Sequence, residues 1–417
     1  MEMPYSEPNS RVRVLILGGG IHGVGVAHDL ASRGWRDVLV VEKDDIGSGT
    51  SSRSTKLIHG GLRYLEHARD FPLVAEGLRE RRLLMELVPD IVKPLPLVFP
   101  VLSKGGVNRY VIKAGLTLYD MLAGKQKVGN HYSLSSREVQ EQLPNLDLSL
   151  FKHFYVFFDG QTDDLALVQR IAKSASDLGV KIQERWRATK ITPVTDGYHV
   201  HMTDSTGVEK IISTKYIVNA MGPWAHEIFV NSGITPKYEG INNKGAHLIL
   251  KDIGLKMGVF LQSPEDGRIF FVLPWKGLTL IGTTESPFET LADSLKTEES
   301  DVTYLLEHTN RYFSKKFTKD DIVAKFSGLR WLAKEDNENL SSTSRSHVVS
   351  THVHGTGKIY TIYGGKLTAY RALSEEIGDL IAASYGDSTP SHTREAKFWS
   401  KQSYGFLTPV PQRFINQ

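Results

Sequence analysis

Between residues 12 and 42 the chain runs from an apolar β-branched stretch, Val12 to Leu17, through a cluster of glycines and an amphipathic pattern into a second apolar stretch that ends in an acid. Few folds accommodate that series. Val24, Ala27, Leu30 and Ala31 share one helical face, so the order is strand, tight turn, helix, strand. Gly18, Gly20 and Gly23 occupy the turn as G-x-G-x-x-G. The first lets the chain reverse, the second lets backbone amides approach a diphosphate, and the third lets helix and strand pack closely. The helix N-terminus then faces the anion. The second strand, VLVVEK, ends in Glu42, nineteen residues after Gly23, where a carboxylate can accept hydrogen bonds from both hydroxyls of an adenosine ribose. An unphosphorylated ribose, as in NAD or FAD, suits that acid better than NADP. A plain surface acid at a strand end is the competing reading.

The chain has 417 residues, 40% of them hydrophobic, enough for a large core and two or three domains. Lys plus Arg number 50 against 47 Asp plus Glu, a net charge of +3, which gives no broad field of the kind that holds nucleic acid. Basic groups are therefore expected to act locally. The absence of cysteine excludes disulfides, thiolate metal sites, iron–sulfur ligation and thioether-linked cofactors, so any redox chemistry must come from a bound cofactor. MEMPYSEPNS at the start has no apolar signal core, and the apolar stretch IVKPLPLVFPVL, 91 to 102, is too short and too rich in proline to span a bilayer. A cytoplasmic protein, or one peripheral to the inner face of the cell membrane, is expected.

In the middle of the chain, KIQERWRATKITPV, YHVHMTD, HLILKD, RIFFVLPW and LTLIGTTE read as strands of an antiparallel, substrate-side layer. Helical patterns cover roughly 72 to 88, 108 to 123, 163 to 178 and 299 to 313. KYIVNAMGPWAHEIF (215 to 229) and KIYTIYGGKLTAYRALSEEIGDLIAASYG (358 to 386) repeat the order of strand, glycine turn and helix. The nucleotide-binding layer is thus expected to be discontinuous: residues 1–90, 155–225 and 355–386 form it, 91–154 and 226–354 form a substrate-binding domain, and 387–417 is a tail with no assigned task.

The segment SSRSTKLIHGGLRYLEH, 51 to 67, concentrates Arg53, Lys56, Arg63 and His67 around paired glycines. It is either a solvated basic loop leading into a helix or a ligand-contacting loop, and the glycines favour close backbone approach. His347, His352 and His354 resemble a metal cluster only superficially, because strand alternation splits neighbouring side chains between two faces and no acid lies nearby in sequence. No metal is expected.

Eight motifs in order, GGGIHGVG, TSSRSTKLIHGGLRYLE, VNAMGPW, KGAHL, RIFFVLPW, IGTTE, SGLR and GGKLTAYR, run from about Arg11 to about Ala383. Together they resemble the FAD-dependent glycerol-3-phosphate dehydrogenase family, within the D-amino-acid-oxidase-like flavoproteins. The resemblance implies an α/β fold: a Rossmann-like, three-layer ββα FAD-binding domain with an antiparallel-sheet substrate domain. It also implies oxidation of sn-glycerol 3-phosphate to dihydroxyacetone phosphate by hydride transfer to flavin N5, with a quinone or another electron acceptor. Oxidases of the same fold that use oxygen, or that act on hydroxy acids or amino acids, are the alternative.

By the same resemblance Gly18, Gly20, Gly23, Glu42, Thr50, Ser51, Ser52, Lys56, Leu57, His59, Gly61, Ala220, Gly222, Gly365, Lys366, Leu367 and Thr368 would line FAD. Arg63, Tyr64, Thr284 and Arg345 would bind a phosphorylated polyol. Arg330, His247 as general base, and Lys366 beside flavin N1 and O2 would carry the chemistry. Members of that family usually carry a further helical domain after the GGKLT helix, whereas 51 residues follow Lys366 here.

Overall fold

The computed structural model describes residues 10–289, 292–333 and 347–401. These form two compact units, one built from the chain up to Ser52, Asp164–Asn242 and the chain from Arg330 onward, the other from Arg53–Asp163 and Asn243–Leu329.

The first unit centres on five parallel strands in the spatial order Gly357–Tyr363, Glu209–Asn219, Ser10–Leu17, Val38–Val41 and Lys181–Gln183. Both faces of the central strands are apolar, as parallel strands require when each face is covered. Val14, Ile16, Val38, Val40 and Val218 join one core with the helices Ile21–Ser32 and Tyr370–Tyr385. Their sequence neighbours Leu15, Leu17, Leu39, Val41 and Ile217 point the other way, into a core with the antiparallel strands Trp186–Val194 and Gly197–Asp204 and the helix Ala225–Ser232. Helices, parallel sheet and antiparallel sheet thus make the expected three layers. KIQERWRATKITPV and YHVHMTD are therefore corrected: they are strands of the first unit, because Gly197–Asp204 pairs with Glu209–Asn219.

The second unit is a ten-stranded sheet, mostly antiparallel. Its longest pairing joins Val92–Leu102 to Phe151–Thr162. Pro94, Pro96 and Pro100 share one parity along the first of these, so the missing amides fall on one edge of the strand. Phe71–Leu87 and Arg109–Ala123 cover one face through Val74, Leu78, Ile112 and Leu116, and Glu299–Tyr312 covers the other through Val302 and Leu305. Those three helices and Asp164–Asp177 lie within a residue of their expected spans.

The unit boundaries differ from the expected domains. The first break comes after Ser52 instead of residue 90, because Leu57–Ile58 pairs with Gly160 and Gln161 and the following helix packs on the second sheet. Residues 155–163 belong to the same sheet for the same reason. The helix Ala225–Ser232 and the strand Val348–His354 stay with the first unit. So does the start of the unassigned tail. Trp399 is buried edge-on against His28 with ring centres 4.9 Å apart, Trp35 Nε1 donates to Asp387 Oδ2 (2.8 Å) and Arg33 Nη1 donates to the Thr389 carbonyl (2.8 Å).

Candidate functional site

In the first unit the glycine turn is a cradle that side chains would fill. Gly18 adopts φ +100°, and a Cβ there would sit 2.7 Å from the Ala220 carbonyl oxygen. A Cβ on Gly23 would strike the Gly18 oxygen. Thr50–Ser52 forms a short turn beside the helix start, where the Ile21 amide donates to Ser51 Oγ (2.9 Å) and Ser52 is buried. Gly222, at φ +55°, opens the next turn, after Ala220 has donated its amide to the Leu17 carbonyl (2.9 Å). Glu42 accepts the Gly19 amide at Oε2 (2.7 Å) and the Asp44 amide at Oε1 (2.9 Å). Burial pushes its carboxyl above the ordinary range, and those two amides pull it back. Each carboxylate oxygen carries two lone pairs, so one on each is left for a ribose hydroxyl. The turn, the hydroxyl cluster and the acid fit a flavin adenine dinucleotide.

The second glycine turn of this unit holds Gly364 and Gly365 at φ +70° and +96°. Lys366, Leu367 and Thr368 follow in a turn closed by the Ala369 amide donating to the Lys366 carbonyl (3.2 Å), with Thr368 buried. The helix begins only at Tyr370. A four-residue turn, Lys366 to Ala369, thus separates the glycines from the helix. His22, which the sequence reading passed over, lies against this turn, since a Cβ on Gly365 would come within 2.6 Å of its Cε1 and 2.9 Å of its Nε2. A polar ring inside the otherwise small and apolar GGGIHG run is the signal that could have marked it. Burial, helped by nearby His347, pushes the His22 imidazole down to about 4.

In the second unit, His247 lies within the strand Gly240–Leu250, opposite Gly282. Its ring stacks on Phe326 at 4.8 Å and 11°, and a Cβ on Gly282 would run into it. Its Nε2 is in hydrogen-bond contact with Thr55 Oγ1 at 2.9 Å. Next along the chain, Lys56 takes φ +61°, a conformation unusual for a side-chain-bearing residue and a marker of local demand. Its buried ammonium lies 4.9 Å from the centre of Phe326 and 5.5 Å from that of Trp275. One aromatic ring therefore holds both a candidate base and a cation.

After Leu57 and the half-buried His59, the chain reaches a turn fixed from behind. The Gly60 amide donates to Tyr119 Oη (2.9 Å), Tyr119 donates to Asp159 Oδ1 (2.7 Å), and Arg81 Nη1 donates to the same oxygen (2.8 Å). Burial pushes both the Asp159 carboxyl and the Tyr119 phenol up, with Arg81 opposing. None of the three was singled out in the sequence, because they lie in different elements tens of residues apart. Gly61, at φ +88°, turns the chain into Leu62–Glu66, which carries half-buried Arg63 and Tyr64.

Thr284 is held by hydrogen bonds inside the second unit. Its hydroxyl accepts the Ala246 amide (2.9 Å) and donates to Asp301 Oδ1 (3.1 Å), whose other oxygen takes Lys244 Nζ (2.7 Å). These bonds tie the loop that carries Thr284 and the strand Gly240–Leu250 to the helix Glu299–Tyr312. Arg330 lies half-buried on the strand Ile322–Ala333, and Arg345 lies outside the described residues. Among the described residues no group of three or more histidines, aspartates and glutamates is placed to hold a metal ion. No helix among them is long and apolar enough to cross a membrane.

The family model for FAD dependent oxidoreductases matches residues 13–371. The D-erythritol 1-phosphate dehydrogenase of Brucella abortus is 34% identical over 365 residues, 87% of this chain and 72% of the relative. The aerobic glycerol-3-phosphate dehydrogenase of Escherichia coli is 33% identical over 388 residues, 92% and 76% of the two chains. Among solved structures, the glycerol-3-phosphate dehydrogenase from Bacillus halodurans complexed with FAD superposes with a TM-score of 0.74 at 27% identity, covering 92% of this chain and 67% of that one.

Proposed function

The chain belongs to the FAD-dependent oxidoreductase family, and on that premise we propose that it oxidises a small phosphorylated polyol, sn-glycerol 3-phosphate, to the corresponding ketone, dihydroxyacetone phosphate. It is a flavin dehydrogenase with FAD as cofactor. The observation that carries the finer reading is that relatives named for dehydrogenases of two phosphorylated polyols match most of its length.

Oxidation of a secondary alcohol removes a proton from oxygen and a hydride from carbon, and bound FAD supplies the hydride acceptor. His247 serves as the general base, with Thr55 in hydrogen-bond contact with its Nε2. Phe326 and the bare Gly282 backbone keep that ring in one orientation. Arg63 and Arg345 hold the phosphate, because planar guanidinium forks match phosphate oxygens, while Arg330 serves nearer the reacting hydroxyl. Lys366 provides positive charge where negative charge gathers on reduction. The proposed acceptor is a quinone or another oxidant, and a quinone acceptor would bring peripheral contact with a membrane.

The Brucella relative favours a second reading, in which a four-carbon polyol phosphate is the preferred substrate. Anaerobic mixing of the FAD-loaded enzyme with sn-glycerol 3-phosphate, D-erythritol 1-phosphate, unphosphorylated glycerol, hydroxy acids and amino acids separates these readings. A phosphorylated polyol should bleach the flavin absorbance, glycerol should not, and the faster of the two phosphates names the substrate. Retained yellow colour with both phosphates would sink the proposal, and stoichiometric peroxide in air would mark an oxidase instead.

A further inference from the structure

We propose that Thr55 is the residue through which His247 takes the substrate proton: its hydroxyl stands between the reacting alcohol and the imidazole and passes the proton on to Nε2. The inference rests on the reading of His247 as general base given above and adds to it a second residue for the same step.

The ring of His247 gives an alcohol no open approach. It is 1% exposed, Phe326 stacks on it at 4.8 Å, and a Cβ on Gly282 would come within 2.9 Å of its Nε2. That same nitrogen faces Thr55 Oγ1 at 2.9 Å. A base must lie within hydrogen-bond reach of the proton it abstracts, directly or through one intervening group. Thr55, half-buried where His247 is buried, supplies that group. The stretch that carries Thr55 is also pinned in place. Arg53 Nη1 donates to the Ser327 carbonyl (3.2 Å), a Cβ on Gly328 would come within 2.9 Å of the Arg53 carbonyl oxygen, and the Lys56 amide donates to Ser54 Oγ (3.0 Å). Ser327 and Gly328 directly follow Phe326 on the strand Ile322–Ala333, so one strand fixes both the ring and the segment that presents the hydroxyl.

A neutral imidazole with its proton on Nδ1 keeps the Nε2 lone pair for the Thr55 hydroxyl, whose own oxygen accepts from the O–H of the substrate. On oxidation the O–H bond of the alcohol breaks as a new one forms on Thr55 Oγ1, and the original Thr55 O–H bond breaks as an N–H bond forms at Nε2. The alcohol carbon is oxidised to a carbonyl, its hydride reducing the flavin, and the positive charge ends on the imidazole. Thr55 leaves the step unchanged. Serine at this position keeps the hydroxyl, whereas valine keeps only the shape, so the two substitutions separate proton transfer from packing.

The test has one readout without turnover and one with it. Long-range 15N NMR of the full-length, FAD-loaded protein labelled with 15N-histidine, with His247 assigned by comparison with His247→Asn, should show the neutral ring protonated on Nδ1 and bare on Nε2. A protonated Nε2, which would donate to Thr55 instead, would overturn the proposal. In anaerobic flavin reduction by the phosphorylated polyol that wild type uses, Thr55→Val should be about a hundredfold slower, the low end of what a positioned acid–base group contributes, and Thr55→Ser should stay within about threefold of wild type. FAD affinity should be unchanged in both. A valine variant at the wild-type rate, or equal losses in both variants, would overturn the assignment. Should the valine variant fail to fold by far-UV circular dichroism, the wild-type rate in mixtures of light and heavy water decides: two protons in flight give a curved dependence on deuterium fraction, and a straight line would overturn the relay. Wild-type enzyme whose flavin neither phosphate reduces would defeat the functional reading and the relay with it, whereas a reduced wild type beside an unaffected valine variant defeats the relay alone.

Discussion

The two units prepare their sites by opposite means. Around the glycine turn of the first, the important groups are backbone amides and missing Cβ atoms: Gly18, Gly20, Gly23 and Gly365 make room, and Ser51 and Glu42 steady the amides. In the second, side chains do the placing: Phe326 stacks on His247, and Arg81, Asp159 and Tyr119 hold the Gly60 turn from behind. A site made of backbone leaves glycines at fixed spacings in the sequence. A site made of buried side chains draws single residues from distant elements and leaves no local pattern.

The contrast can be broken at either end, and the largest effect is expected at the glycine turn. Gly23→Val places atoms inside the Gly18 oxygen, and the variant should lose detectable FAD uptake and cost roughly 5 kcal/mol of stability by chemical denaturation. Uptake at wild-type affinity would show that the turn is not a close-packed cradle. Asp159→Ala leaves the Arg81 guanidinium buried without its carboxylate and should destabilise by about 3–5 kcal/mol. A cost below about 1 kcal/mol would mean that the second unit is not organised around that charge pair.

A pH experiment sharpens the comparison on the first unit. His28, buried beneath Trp399 and bonded through Nε2 to the Phe398 carbonyl (2.7 Å), is pushed down to about 4 by burial. Its folded pKa is depressed, so the neutral ring favours the fold fully above the unfolded value near 6.5. That contribution is lost as pH falls from there toward 4, on the order of 3 kcal/mol. Urea midpoints measured between pH 7 and 4.5 should fall less steeply for His28→Gln than for wild type, and identical slopes would remove His28 as the cause. The smallest effect belongs to Tyr119→Phe, which takes away the nearer of two acceptors for the Gly60 amide and a donor to Asp159. About 1 kcal/mol should be lost, with FAD affinity changed less than by Gly23→Val.

Much of the fold was readable because parallel strands buried on both faces and amphipathic helices carry strong periodicities. Val14 and Ile16 face one core and Leu15 and Leu17 the other, as a strand in the middle of a sandwich must. Domain boundaries were less readable. Residues 53–90 follow the nucleotide motif in sequence but pack with the second sheet, a choice made by long-range pairing of Leu57 and Ile58. The three prolines of Val92–Leu102 disguised a long strand, since proline is a poor strand former except where its missing amide is unneeded. At the candidate site, the glycines, Ser51 and Glu42 were legible as a motif, while the tethering of Thr284 to Asp301 depends on residues that only the fold brings together.

The central proposal is that His247 is the group that takes the substrate proton in an FAD-dependent oxidation. Its most direct test is rapid-mixing reduction of FAD-loaded His247→Asn enzyme by sn-glycerol 3-phosphate, with the FAD dissociation constant measured on the same preparation. FAD affinity should match wild type while the rate of flavin reduction falls by at least about a hundredfold. Reduction at the wild-type rate with FAD fully bound would contradict the account.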